Sequence, residues 1–281
     1  MLEEIVMTIK KWLKTPKGYV AITMLAYLLI ASIGYKNIVG IKNTMVAVIT
    51  AVISDIFINI LKKRKWTMPD GAVITGLIIG LILSSTTSIV IITATAVLAI
   101  LSKHLLVYMK KPIFNPAAFG LLLSALFLKT GQSWWGAFGD LSVWTIIFLI
   151  VGGYTITNRI HKFPQVFAFL GTSFVLLALM GHFNIGDAVD ALRPPFINAT
   201  LFFGFFMLTD PPTSPAKDKD QVIFGFLTAA AGTIIYAVFG GLIYLFIGLC
   251  LGNLFAYLKK RSTSKRAFNR KGTTRTIRYS S

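Results

Sequence analysis

Between Tyr19 and Leu258 the chain alternates long apolar stretches with short polar or basic breaks, and that pattern predicts ten helical segments. In order they are Tyr19–Gly34, Val39–Leu61, Ala72–Leu83, Ile89–Leu106, Pro116–Leu128, Val143–Thr157, Pro164–Met180, Phe196–Thr209, Val222–Phe239 and Leu242–Leu258. Two are conspicuously short. Ala72–Leu83 would measure about 18 Å as a helix, against roughly 30 Å of bilayer hydrocarbon. Phe196–Thr209 contains Gly204 and ends on "TDPPTSP". These are the third and eighth segments, and short, Gly- or Pro-interrupted segments at matching places in two halves point to an internal repeat around a central site. With five segments per half, the second repeat is inverted relative to the first. The fifth segment, Pro116–Leu128, is also short and is expected to begin inside the protein, at the end of a re-entrant stretch.

Composition fixes the solvent. Of 281 residues 55% are hydrophobic and 22 are Phe, and the mean hydropathy is +0.73, more apolar surface than one soluble core hides. The class is an all-α integral membrane protein. The net charge of +18 sits in the breaks: counted from a cytoplasmic N-terminus, Lys and Arg divide 24 inward to 4 outward. That split predicts ten spans with both termini on the cytoplasmic side of the cell membrane. It suits an anionic leaflet and, without any helix-turn-helix, zinc or RNA-binding signature, excludes nucleic acid as partner. Residues 1–18 read as a cytoplasmic amphipathic segment with no cleavage site. Residues 19–260 form the membrane domain, with repeats at about 19–128 and 143–258, and residues 261–281 form a basic tail expected to be disordered. The single Cys250 excludes an internal disulfide and reads as packing.

Three polar motifs converge on the inward side. "MPDGAVITG" opens the third segment, "IFNPAAFG" opens the fifth, and "FFMLTDPPTSP" closes the eighth. Asp70 and Asn115 each precede a helix and are expected to cap it, Pro116 suits a first helical turn, and Pro211-Pro212 after Asp210 stops a helix. Helix N-termini offer N–H groups to an electron-rich ligand such as a flavin pyrimidine ring or a phosphate. Taken singly, each motif also reads as a plain cap or breaker.

In that order and spacing, "DGAVITGLIIGLIL", "KKPIFNPAAFG" and "FFMLTDPPTSPAKDKDQVIFG" resemble the membrane subunits of the RnfD/NqrB family, from the Rnf complex and the sodium-pumping NADH:quinone oxidoreductase. The resemblance covers roughly Leu13 to Lys260. It implies a urea-transporter-like fold of two inverted five-helix repeats and a flavin electron carrier. It further implies a noncovalent riboflavin near the cytoplasmic side and an FMN esterified to a Thr in the outward loop after the fifth span. The sequence departs there: "KTGQSWWGAFGDLS", Lys129 to Ser142, has no such Thr motif, and "SSTTS" at Ser84–Ser88 lies in another loop. Only the noncovalent site, for riboflavin or FMN, carries over, onto Asp70, Thr75, Phe114, Asn115, Pro116, Thr209 and Asp210. The function implied is electron transfer between a partner protein and a quinone or other acceptor. The alternative is a channel or transporter for a small solute, flavin included.

Other residues admit two readings each. Asp55 lies inside the second segment, where an acid is either functional or paired with Lys103 or His104. His104, His161 and His182 lack metal-ligand spacing. Trp134 and Trp135 fit an outer aromatic belt, or stacking on a flavin or quinone. No nucleophile–base pair, Walker loop or dinucleotide fingerprint is present, which leaves hydrolase, ATPase and soluble dehydrogenase chemistry without residues.

Overall fold

The predicted apolar segments are largely helical. The computed structural model describes residues 12–64 and 67–277. The helices are α1 Pro16–Gly34, α2 Ile38–Leu61, α3 Asp70–Ile82, α4 Ile89–Leu105, α5 Pro116–Leu128, α6 Ile146–Ile160, α7 Phe163–His182, α8 Pro194–Phe202, α9 Asp218–Phe239 and α10 Ile243–Ile277. Between α4 and α5 sits a hairpin of two short strands, β1 Val107–Tyr108 and β2 Lys111–Pro112. α1, α2, α6 with its leading turn, α7, α9 and α10 are long and apolar enough to cross a membrane, while α3, α4, α5 and the α8 segment are shorter. Large apolar side chains such as Ile53, Phe57, Phe127 and Val238 point outward, a surface that only lipid covers at low cost. The protein is a multi-pass membrane protein.

Contacts sort the loops into two ends. Lys17 meets Asp70, Arg159 lies over Tyr19, Gln221 reaches His161, and Lys259 pairs with Asp220, all at one basic end. At the other end Asn43 donates to Ser85, the amide of Asp140 donates to Tyr35, and Tyr236 donates to Asp187. The packing of α4 on α5 and of α2 on α4 recurs as α9 on α10 and α7 on α9, the pattern that two five-helix halves would produce.

α3 is the axis of the first half. Every residue from Thr75 to Ile82 is buried, because Gly76 and Gly80 let its backbone touch α2. A Cβ at Gly76 would lie 2.5 Å from Val48 Cα, and one at Gly80 2.5 Å from Thr44 Cα. At about 20 Å long, α3 ends inside the apolar region and leaves last-turn carbonyls to be satisfied there. The segment after α5 folds inward to do this. The Ser133 and Trp134 amides donate to Ile82 O at 2.9 and 3.1 Å, and Trp135 Nε1 donates to Gly80 O at 2.8 Å. Trp134 stacks on Phe246 with centroids 5.5 Å apart. Both indoles are buried, so they form no outer belt: the end of α3 needs their donors and their volume more than the interface does.

Two further expectations change. Asp70 does not cap α3 but is its first residue; its carboxylate takes Lys17 Nζ at 2.8 Å and the Gly71 amide at 2.7 Å, while Pro69 holds the cap position. The last helix runs past its expected end at Leu258 into the basic tail, as far as Ile277. It is rich in Lys and Arg, good helix formers, and has no Pro to stop it. Residues 1–11 of the expected amphipathic segment lie outside the described residues.

Candidate functional site

α8 does not run straight into a loop. It loosens into a π-turn at Phe203–Met207 and then gives way to the irregular stretch 208–217 before α9. The sequence dictates the break, since Pro211, Pro212 and Pro215 have no amide to donate and exclude helical neighbours. Carbonyls in such a stretch need donors from elsewhere. Four helices and the segment leading into α7 supply them. Asn115 Nδ2, at the start of α5, donates to Met207 O at 3.1 Å, and Gln165 Nε2 of α7 donates to Leu208 O at 2.6 Å. Asn253 Nδ2 of α10 donates to Thr213 O at 3.1 Å, Gln221 Nε2 of α9 to Ala216 O at 3.1 Å, and Lys162 Nζ, just before α7, to Pro215 O. The result is a proline shelf fastened from every side.

Asn115 is the centre of that fastening. Its Oδ1 accepts from the Ala118 amide at 3.1 Å, capping α5 as expected, and its own amide donates to Asn253 Oδ1 at 3.0 Å. Asp210 turns the shelf. Its carbonyl accepts from Ser214, and its carboxylate accepts from Thr213 Oγ1 at 2.9 Å. Desolvation pushes the Asp210 carboxyl up to about 6, against the Thr213 hydroxyl and the charges of Lys17, Lys162 and Lys103, which pull it down. Burial likewise lowers the Lys162 ammonium to about 8, with Asp210 pulling it back up.

On the shelf's outer side lies a cleft of about 670 Å³ at the basic end, a size suited to a cofactor. One wall is the β1–β2 hairpin with Tyr108, Lys111 and Ile113, another is the shelf from Pro211 to Lys217, and the third is α10 from Asn253 to Lys260. Tyr108 and Tyr257 meet edge to face at 5.2 Å. The hairpin turn puts Met109 at φ 48° and Lys110 at φ 64°, strained for non-glycine residues and of the kind kept at functional sites.

The residues singled out by sequence divide between two places. Asn115, Pro116, Thr209 and Asp210 do not line the cleft but adjoin its lining, Asn115 through its bond to Asn253 and Asp210 through Pro211, and Phe114 stacks on Phe119 at 5.1 Å. Asp70 instead lines a second, polar cavity of about 550 Å³ with Lys17, Asp55, Arg64, Lys103 and His104. Thr75 and Thr209 return their hydroxyls to Gly71 O and Phe205 O, and Asn115 is committed to protein partners. None of the three lines either cavity, and the side chains open to the cleft are those of its own lining. In the second cavity, the Asp55 carboxylate takes Lys103 Nζ at 2.8 Å and His104 Nε2 at 2.7 Å, which is the paired reading of that acid. No three His, Cys, Asp or Glu side chains gather into a metal site among the described residues.

Asn253, Tyr108 and Tyr257 escaped the sequence reading. Asn253 was detectable, because an amide within the apolar run "LFIGLCLGNLFAYL" demands a partner; the two tyrosines gave no signal, because only folding brings β1 to α10. No curated protein matches the chain. The NQR2, RnfD, RnfE family matches it over residues 11–142 and 124–269, which takes in both motifs that wall the cleft. The chain belongs to the NQR2, RnfD, RnfE family of membrane subunits of redox complexes.

Proposed function

We propose that the protein is an electron-transfer subunit that holds a noncovalent flavin in the cleft at its basic end, receiving electrons from a partner protein and passing them to a quinone or another acceptor. The observation that carries this reading is that the cleft is walled by both of the chain's more specific family motifs, Lys111–Ile113 from one and Pro211–Asp220 from the other. Bound there, a flavin supplies one- and two-electron chemistry that no side chain offers. The chain's part is to bind and orient it. Tyr108, Tyr257 and the prolines give flat apolar surfaces to an isoalloxazine ring. Asn115, Thr209 and Asp210 are positioning residues that fix the shelf, and Asp70 and Thr75 set the start of α3 beside it. The basic end faces the cytoplasm in this reading, and the two five-helix halves are inverted repeats in the cell membrane. The flavin is noncovalent because 129–142 has no acceptor Thr motif.

The test is titration of flavin-free full-length protein in nanodiscs, followed by quenching of flavin fluorescence. Replacing Tyr108 and Tyr257 by Leu should weaken binding about tenfold, the scale of losing aromatic stacking. Trp134→Phe, at the other end, should leave it unchanged. Colourless protein that conducts a small solute and ignores flavin would support the transporter instead.

A further inference from the structure

We infer that Asp210, acting through the Thr213 hydroxyl, is the proton donor of the basic-end cleft and delivers to the ring of a flavin bound there; this rests on the flavin reading above. Reducing an isoalloxazine ring by two electrons places a proton on its N5. The partner protein supplies the electrons, and the chain has to supply the proton. The cleft's own lining is poorly equipped for that. Its ionisable groups are lysines, two tyrosines and Asp220, whose carboxylate is taken by Lys259 Nζ at 2.7 Å. Ammonium and phenol groups give up protons sparingly near neutral pH.

Thr213 connects that lining to a better acid. It lines the cleft although it is largely buried, and its Oγ1 donates to Asp210 Oδ2 at 2.9 Å. The link is held from two sides: the Thr213 amide donates to Asp210 O at 3.2 Å, and the Thr213 carbonyl accepts from Asn253 Nδ2 at 3.1 Å. A hydroxyl has one proton to give and lone pairs with which to receive. While Asp210 is a carboxylate, the Thr213 proton points back at it. Once Asp210 is protonated, its O–H donates to Thr213 Oγ1 and frees the threonine's proton for the cleft. Desolvation holds the Asp210 carboxyl near 6, against the Thr213 hydroxyl and the ammonium groups of Lys17, Lys162 and Lys103, a value suited to an acid that works near neutral pH. Asp210 is half-buried, and Lys17 and Lys103 line the second, polar cavity, the route by which water reprotonates the carboxylate. In the transfer, the Asp210 O–H bond breaks as Thr213 Oγ1 accepts, and the Thr213 O–H bond breaks as the ring nitrogen accepts. The ring gains two electrons and one proton, and Asp210 is left a carboxylate until water reprotonates it.

The first measurement needs no flavin. Infrared titration of the flavin-free protein in nanodiscs, with the Asp210 carboxyl band assigned by its loss in Asp210→Asn, should place its midpoint at about 6. Thr213→Val removes the hydroxyl that favours the carboxylate and should move the midpoint up, and Thr213→Ser should bring it back. The second measurement follows proton uptake with a pH-indicator dye after rapid chemical reduction of the flavin-loaded protein. A positioned acid contributes roughly 10²–10⁴-fold, and water can replace part of it, so Thr213→Val and Asp210→Asn should each slow uptake at least about tenfold. Thr213→Ser should stay within about twofold of wild type, and the wild-type rate should fall about tenfold per pH unit above about 6. Wild-type uptake in Thr213→Val with flavin bound would overturn this inference and leave the flavin reading standing; if Thr213→Val does not fold, wild-type uptake in Asp210→Asn overturns it in the same way. Equally slow uptake in Thr213→Ser would mark a packing role and also overturn it. Protein that takes up no flavin would defeat the flavin reading itself, and a midpoint unmoved by Thr213→Val would remove the relay whether or not flavin binds.

Discussion

Asn115→Leu separates a residue that touches ligand from one that builds the site. Leu matches Asn in size but loses two bonds: the cap to the Ala118 amide and the bond to Met207 O. A lost N-cap costs roughly 0.5–2 kcal/mol, and a buried carbonyl left without a donor costs roughly 1–3. Side-chain hydrogen bonds between membrane helices average nearer 0.6 kcal/mol, which sets the lower bound of the sum near 1 and the upper near 4. The expected loss is therefore about 1–4 kcal/mol, or roughly 5- to 700-fold in the folding equilibrium. Asn115→Asp retains the cap and loses only the donor, so it should fall between wild type and Leu. Unfolding in mixed micelles by added SDS, followed through the buried Trp134 and Trp135, reads all three without any ligand. If Asn115→Leu is as stable as wild type yet binds no flavin, Asn115 is a ligand contact and the positioning role is wrong.

Asp55→Asn should cost more, about 3–5 kcal/mol in the same assay, because Lys103 and His104 lose their shared carboxylate; Lys103→Met added to it should recover part of the loss. Asp210 gives a pH signature. Its folded value of about 6 lies above the ordinary carboxyl value of 3.8, so the unfolded chain releases this proton first, and the stability it contributes is present below pH ~4 and lost as pH rises through about 6. Asp210→Asn should flatten stability between those limits, and an unchanged slope would remove Asp210 as its source. For topology, Gly131→Cys and Lys217→Cys in a Cys250→Ala background should label from opposite faces with an impermeant thiol reagent. Gly131 suits this because its Cβ would meet nothing within 4 Å. Labelling of both from one side would break the alternating arrangement.

The helices were legible because lipid imposes a one-dimensional rule: an apolar run must be a helix, and its breaks carry charge. Pro116, Asn115 and the Pro211-Pro212 pair marked helix ends for local reasons and the structure keeps them. What failed to show was anything that depended on a distant partner. Trp134 and Trp135 looked like interface residues, since nothing in "GQSWWGAF" says that Gly80 O, 55 residues earlier, awaits a donor. Asp70 had a cap's position but found Lys17 instead. Asn115 was placed in the ligand site by the resemblance, whereas its side chain caps α5 with its oxygen and ties α5 to the proline shelf with its nitrogen. The cleft itself joins β1, the shelf and α10, three segments that no local pattern connects.

Whether the basic-end cleft holds a flavin is answered most directly by the absorbance spectrum of the full-length protein purified from flavin-sufficient cells, read before and after denaturation and filtration. The account predicts about one flavin per chain, all of it passing the filter once the protein unfolds and none of it fluorescing on a denaturing gel. Protein that purifies without flavin and takes up none on titration, or a flavin that stays with the denatured chain, would contradict it.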